Sequence, residues 1–328
     1  MFIDHFKKSE LTIDSDIPIV NPREPIVMFY QHQKQQKIIY ARNHQKELIT
    51  FADEAGTIRP HRNTHFVLAY VLHGKLTACI EQHPVFISQG MGYLIDPQIM
   101  TYEELADGTE VMFIDFSTEI AQMLCNELAS IHNSLTVDYL RNHLMAAKHG
   151  KHVYLEYIAT YPQENQPLKN ILDSLQQELM TPRIAASLFQ RGLIIRLFDQ
   201  FTSPHIFHEK IVQLDGTHEQ QIVNQIDSYI LAYLGNVNRQ QIAHELNYNA
   251  DYLNRIFKQE RHISIMSYAR AIRLNQAKAF LINTQLTVNT IAEKLGFSSV
   301  NYFHEFFKTQ TGLTPQLYRQ TTQRKYKL

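Results

Sequence analysis

"IAEKLGFSSVNYFHEFFKTQTGLTP", residues 291–315, places Phe303, Phe306 and Phe307 on one side of a helix of period 3.6 and Asn301, His304, Glu305 and Lys308 on the other. The polar four fall at i, i+3, i+4 and i+7. One such stripe on one helix is an ordinary solvated face. Its weight changes because the chain carries it twice.

"QIAHELNYNADYLNRIFKQERHISIMSY" (241–268) matches "TIAEKLGFSSVNYFHEFFKTQTGLTPQLY" (290–318) at Ile242/Ile291, Ala243/Ala292, Leu246/Leu295, Tyr248/Phe297, Leu253/Phe303, Phe257/Phe307, Lys258/Lys308 and Tyr268/Tyr318. Repetition at this level predicts two copies of one supersecondary unit. Each copy reads as a short helix, a turn at Asn247 or Gly296 where φ > 0 is wanted, and a second helix. That is the helix-turn-helix arrangement, whose second helix enters the major groove of DNA. In the first copy Leu253, Ile256 and Phe257 point inward, and Asp251, Asn254, Arg255 and Lys258 form the outward stripe. Asn pairs with adenine, Arg with guanine and Glu with the cytosine amino group, while Lys suits phosphate. The expected DNA-contacting set is therefore Asn249, Asp251, Asn254, Arg255 and Lys258 in the first unit, and Ser298, Ser299, Asn301, His304, Glu305 and Lys308 in the second. Between the units, residues 263–283 predict a connecting helix of about 30 Å, close to the ~34 Å between successive major-groove faces. Its Arg270 and Arg273 are expected to make salt bridges or phosphate contacts.

Charge supports this division. The 328-residue chain has a net charge of −1, yet residues 221–328 hold 13 Lys and Arg against 6 Asp and Glu, a net +7, and the remainder is −8. A basic last third on an acidic body predicts that the last third meets a polyanion. Two cysteines, Cys79 and Cys125, fit neither a disulfide framework nor a zinc module. No apolar segment follows the lysines of "MFIDHFKKSELTIDSD", and the run "FVLAYVL" (66–72) is far short of the ~20 residues a membrane span needs. The chain is read as cytoplasmic, with no membrane partner.

Residues 57–116 alternate short apolar runs with Gly and Pro turns, which predicts a small antiparallel barrel or sandwich. The period lengthens from about 119 to 148 and again over 168–203. There Leu168, Ile171, Leu172, Leu175 and Leu179, then Ile184, Leu188, Ile195 and Phe198, predict two amphipathic helices, the second opening at Pro182. They serve either as packing for the sheet or as a dimer seam. Residues 206–220, overlapping the Pro, Gly, His and charge mixture of 203–218, are expected to be a linker.

At Gly296-Phe297, Tyr302-Phe303, Phe307-Lys308, Gly312, Thr314-Pro315 and Tyr318-Arg319 the second unit is in register with the signature of the AraC/XylS family of bacterial transcription regulators, and residues 221–328 resemble that family's DNA-binding domain. His262 stands where the family's first unit usually has Gly, and Glu305 where it often has Arg. Strands and then helices ahead of such a domain resemble family members with a cupin-like sensor. The resemblance implies an α+β chain: a cupin-like antiparallel β-barrel with helices (1–160), a helical dimerisation segment (161–205), the linker and an all-α tandem helix-turn-helix domain (221–328). It implies a homodimeric regulator that binds double-stranded promoter DNA, responds to a small effector such as a sugar or carbon-source metabolite, and works with RNA polymerase. His61, His65, Tyr70, Tyr93 and Tyr102 are the expected effector-pocket residues. A metal cupin would need another imidazole near Thr101 and Tyr102, which neither supplies, so neither metal nor cofactor is expected. Two alternatives stay open: a metal-dependent cupin enzyme with a DNA-binding tail, and an N-terminal part that only dimerises or binds a partner protein.

Overall fold

The computed structural model describes residues 19–325 apart from 21, 23, 35–36, 42–47, 55–59, 98, 131–133, 146–152, 161–164 and 182. It divides into two compact units, Met1–Thr217 and His218–Leu328.

The first unit opens with strands β1 (Ile19–Val20), β2 (Ile26–Lys34), β3 (Lys37–Ala41), β4 (Leu48–Glu54), β5 (His61–Asn63), β6 (Phe66–His73), β7 (Lys75–Ile80), β8 (His83–Ser88), β9 (Met91–Ile95), β10 (Met100–Leu105) and β11 (Glu110–Phe116). Helices α1 (Thr118–Ala129) and α2 (Leu135–Met145), strand β12 (Val153–Ala159), helices α3 (Gln166–Met180) and α4 (Ala186–Thr202) and strand β13 (Phe207–Gln213) complete it. The strands form two sheets, ordered β1-β5-β10-β7-β8 and β13-β12-β9-β6-β11-β2-β3-β4. Among the described residues neither sheet closes on itself, and the strand pairing is that of two open sheets. The α+β class with a β-rich first part holds, while β12 and β13 return to the large sheet after the first helices.

The expected linker is where the structure departs most from the sequence reading. Seven of its residues form β13, which pairs antiparallel with β12 from Ala159↔Phe207 to Val153↔Gln213. Glu209 on this strand also accepts from the backbone N–H groups of Leu135 (3.1 Å) and Thr136 (3.0 Å), capping the start of α2. The second amphipathic helix differs too. It starts at Ala186, after Ala185 in the left-handed region at φ 66°, and Pro182 lies outside the described residues. Ile184 therefore precedes the helix and is 98% exposed, while Phe198 is fully buried.

Strand alternation sets what each face of the large sheet meets. Tyr30, Phe66, Leu68, Tyr70, Leu94, Met112 and Ile114 join Leu168, Leu172, Leu197, Phe198 and Phe201 in one core under the helices. Their neighbours in the strands turn to the other face. Both faces are buried, as the unbroken burial of Met91–Ile95 on β9 shows.

The second unit is all helical: α5 (His218–Ala232), α6 (Arg239–Leu246), α7 (Ala250–Arg261), α8 (Ile265–Asn283), α9 (Val288–Lys294), α10 (Val300–Thr311) and α11 (Pro315–Lys325). Its starts are written in short polar residues. Asn238 and Gln241 make a reciprocal capping box, and Asn249, Ser264, Thr287 and Ser299 each accept a backbone N–H of the turn they begin. Thr314 and Pro315 open α11 as expected, with Thr314 Oγ1 accepting from the Leu317 N–H at 3.3 Å.

Candidate nucleic-acid interface

The two repeats fold alike. Each turn takes the left-handed backbone the sequence demanded, Asn247 at φ 56° and Gly296 at φ 67°. A Cβ at Gly296 would also meet the Asn236 side-chain amide at 2.0 Å, so that side chain would have to move. The second helices end alike as well, α7 on His262 at φ 60° and α10 on Gly312 at φ 76°. A non-glycine residue in that region carries about 1–2 kcal/mol of strain, which the first unit bears at His262.

The inward sets do what was expected. Leu253, Ile256 and Phe257 are buried, as are Phe303 and Phe307, and Phe306 is partly buried against Phe297 with ring centroids 5.1 Å apart. Tyr268 meets Phe257 at 5.4 Å, and its counterpart Tyr318 meets Phe307 at 5.2 Å. This shared packing holds each second helix with its polar stripe turned away from the core.

Outward residues divide by how much their own protein uses them. Arg255 and Lys258 on α7, and Ser298, Asn301, Glu305 and Lys308 on or beside α10, are exposed, with His304 half-exposed. Arg255 lies over the Tyr252 ring at 5.3 Å and donates to Gln259 at 3.4 Å. The remaining four hold structural bonds. Asn249 accepts from the N–H groups of Asp251 (2.8 Å) and Tyr252 (3.2 Å), and Ser299 from that of Tyr302 (3.2 Å). Asp251 is paired with Arg239, and Asn254 accepts from the Ile265 N–H at 3.2 Å, capping α8. Sequence reading missed Tyr252 and Tyr302, matched positions beside the two stripes. The only available signal was an aromatic set among polar neighbours, and Tyr302 is 53% exposed.

The connecting helix α8 spans 19 residues, about 28 Å. Arg273 on it makes no phosphate-facing arm. Its guanidinium lies 3.6 Å from the Phe297 ring centroid and donates to the Leu295 carbonyl at 3.0 Å, bracing α8 against the second unit. Arg319 likewise donates to the carbonyls of Leu281 (2.9 Å) and Leu286 (2.7 Å). Arg261 is paired with the buried Asp227.

The five expected effector residues do not share one cavity. Tyr93 lies between the sheets, where its hydroxyl donates to Glu103 at 2.7 Å beside Thr101, which donates to the same oxygen at 2.9 Å. His61 pairs with Thr101 across β5 and β10 and shares that inward face. Tyr70 is on the opposite face of the large sheet, under α4, with its ring 5.4 Å from Phe201. Tyr102 pairs with Cys79 and so shares the face opposite Thr101 and Glu103. His65 sits in the turn before β6, hydrogen-bonded to Thr64 at 3.2 Å, and burial lowers its pKa. Among the described residues no group of three His, Cys, Asp or Glu is placed to hold a metal ion. Residues 55–59, ahead of His61, and Gln98, between Tyr93 and Tyr102, lie outside the described residues.

Comparison with known proteins places the repeat in context. Residues 242–321 match the model of the helix-turn-helix domain family. Over 274 residues the chain is 23% identical to the Msm operon regulatory protein of Streptococcus mutans, covering 83% of this chain and 90% of that one. It is 42% identical over 80 residues to the uncharacterized HTH-type transcriptional regulator YtdP of Bacillus subtilis, 24% of this chain and 10% of that one. It is 37% identical over 68 residues to the HTH-type transcriptional activator RhaR of Cronobacter sakazakii, 21% of this chain and 24% of that one. The last two likenesses thus span a quarter or less of those relatives' length. No helix among the described residues is long and apolar enough to cross a membrane.

Proposed function

We propose, from the premise that this chain belongs to the AraC/XylS family of DNA-binding transcription regulators, that it is a cytoplasmic homodimer that reads a two-part promoter site with α7 and α10 and is controlled by a small effector held in its first unit. The observation that carries the reading is the duplicated helix: two second helices share buried aromatic packing, turn geometry and an outward polar stripe. Arg255 and Lys258 of the first unit, and Asn301, His304, Glu305 and Lys308 of the second, are the residues that meet DNA. Asn249, Asp251, Asn254 and Ser299 act chiefly by fixing the helices that present them. Glu305 in the second stripe favours a cytosine amino group over phosphate, so the two half-sites differ in base preference.

The facing sheets of the first unit are taken as the two halves of a cupin-type flattened barrel. The dimer seam lies at the start of α4, where Ile184, Leu188 and Phe189 are 98%, 70% and 60% exposed. Such a cluster on a polar surface is the usual mark of a contact. The effector, a sugar or related carbon-source metabolite, shifts promoter affinity only as far as it favours one arrangement of the dimer's DNA-binding units over another. RNA polymerase is the partner through which bound protein changes transcription. The testing experiment is a gel-shift titration of the full chain on its own upstream region at several salt concentrations. Saturable binding that survives excess unrelated DNA supports the reading, and binding that competitor abolishes equally for every sequence refutes it.

A further inference from the structure

Within the effector-controlled reading, we infer that the ligand site is the cleft between the large sheet and α3, and that its ligand is a small neutral polyhydroxylated molecule. The cleft has a volume of about 200 Å³, room for several waters or one compact ligand. Its apolar side comes from Leu168 and Leu172 of α3 and Leu72 of β6. Polar groups converge on that side from three elements: Tyr30 on β2, Tyr70 on β6, and Lys169 and Asp173 one turn apart on α3.

Three features mark this cleft as a built site. Tyr70 is 4% exposed and lines the cleft, and burial is what raises its phenol. Asn165 spends its carbonyl oxygen on the Leu168 N–H at 3.0 Å, which leaves its buried Nδ2 without an acceptor among the described residues while the residue lines the cleft. Gln89 adds a second amide at the rim. The phenol of Tyr70 is raised by burial, and that of Tyr30 by burial and then by the Asp173 and Glu110 charges, so both stay neutral and able to donate.

The lining selects the ligand class. Two phenols, two amides, one carboxylate and one ammonium offer donors and acceptors in mixture, which suits a molecule carrying several hydroxyls. Asp173 and Lys169 balance in charge at i, i+4, so neither an anion nor a cation is selected. The aliphatic side meets the C–H face that a ring or extended polyol presents. Tyr93, on the other face of the same sheet, is already committed to Glu103 at 2.7 Å and is not part of this site.

The test uses the full chain in thermal unfolding against two panels, neutral monosaccharides and alditols in one and zwitterionic amino acids in the other. A binder present at about 100 times its Kd raises the N-terminal transition by several degrees. Tyr70→Phe, which removes one oxygen, and Asp173→Asn, at an exposed position that tolerates the change, should each weaken binding of that sugar or polyol at least tenfold, while Tyr93→Phe leaves it unchanged. A polyol response that survives both cleft variants and disappears in Tyr93→Phe places the site between the sheets, which overturns this inference and leaves effector control standing. A response to amino acids alone overturns the ligand class. No response from either panel overturns the cleft as a site for such ligands, and the promoter gel-shift still stands or falls on its own.

Discussion

Replacing Asp115 by Asn should remove most of a pH-dependent loss of stability in the first unit. Asp115 is on β11, 3% exposed, on the face turned to the small sheet, and its Oδ1 has no hydrogen-bond partner among the described residues. Burial, and then the Glu103 charge, push its carboxyl up to about 8 from an ordinary 3.8. The folded state thus holds this proton more tightly than the unfolded chain does. The resulting stability is fully present below about pH 4 and is lost as pH rises through about 8. At about 1.4 kcal/mol per pH unit the full displacement is worth about 6 kcal/mol, and the part between pH 5 and 8 about 4 kcal/mol. Asn keeps the shape and cannot ionise. Denaturant unfolding followed by near-ultraviolet circular dichroism, at about pH 5 and about pH 9, measures the effect. The variant should exceed the parent protein by no more than about 2 kcal/mol at the acid end and by about 6 kcal/mol at the alkaline end. Parallel loss of stability in both proteins would show that Asp115 is ionised and accommodated in the native state.

Arg255→Ala should cost about 1–3 kcal/mol at a cognate site and relax base preference there, whereas Lys258→Ala should weaken all sequences alike and reduce the salt slope by about 1; competition gel shifts distinguish the two. Phe307→Ala removes a fully buried ring, so about 3–5 kcal/mol of the second unit's stability should go, seen as earlier loss of helical signal with the N-terminal transition unchanged. Leu188→Glu places a charge in the exposed cluster at the start of α4 and should turn a dimer into a monomer in light scattering without lowering the unfolding temperature.

The last third was legible because it says the same thing twice. Leu253 and Phe303, or Phe257 and Phe307, could be read as core by comparison with each other, and Asn247 and Gly296 as turns because both tolerate φ > 0. Its local bonding was not legible. Asn254 looks identical in sequence whether it faces a base or caps α8, and Arg273 gave no sign that Phe297 would hold it. In the first part β13 was hidden because "FHEKIVQ" mixes charge with apolar residues and is flanked by Pro204 and Gly216, the marks of a loop, while its pairing partner β12 lies some fifty residues earlier. Strand parity divides the expected effector set between two faces of the sheet. Tyr70 on β6 and Tyr93 on β9 lie on adjacent paired strands, but Tyr93 pairs with Ala69, so Tyr70 faces the other side of the sheet.

The central claim is that α7 and α10 read DNA as a pair. Selection of binding sites from random duplexes by the full chain, repeated with Arg255→Ala and Asn301→Ala, tests it most directly. The account predicts two short conserved blocks centred about 10 base pairs apart, one blurred by each substitution and the other left intact. A single block, or two blocks indifferent to both substitutions, would contradict it.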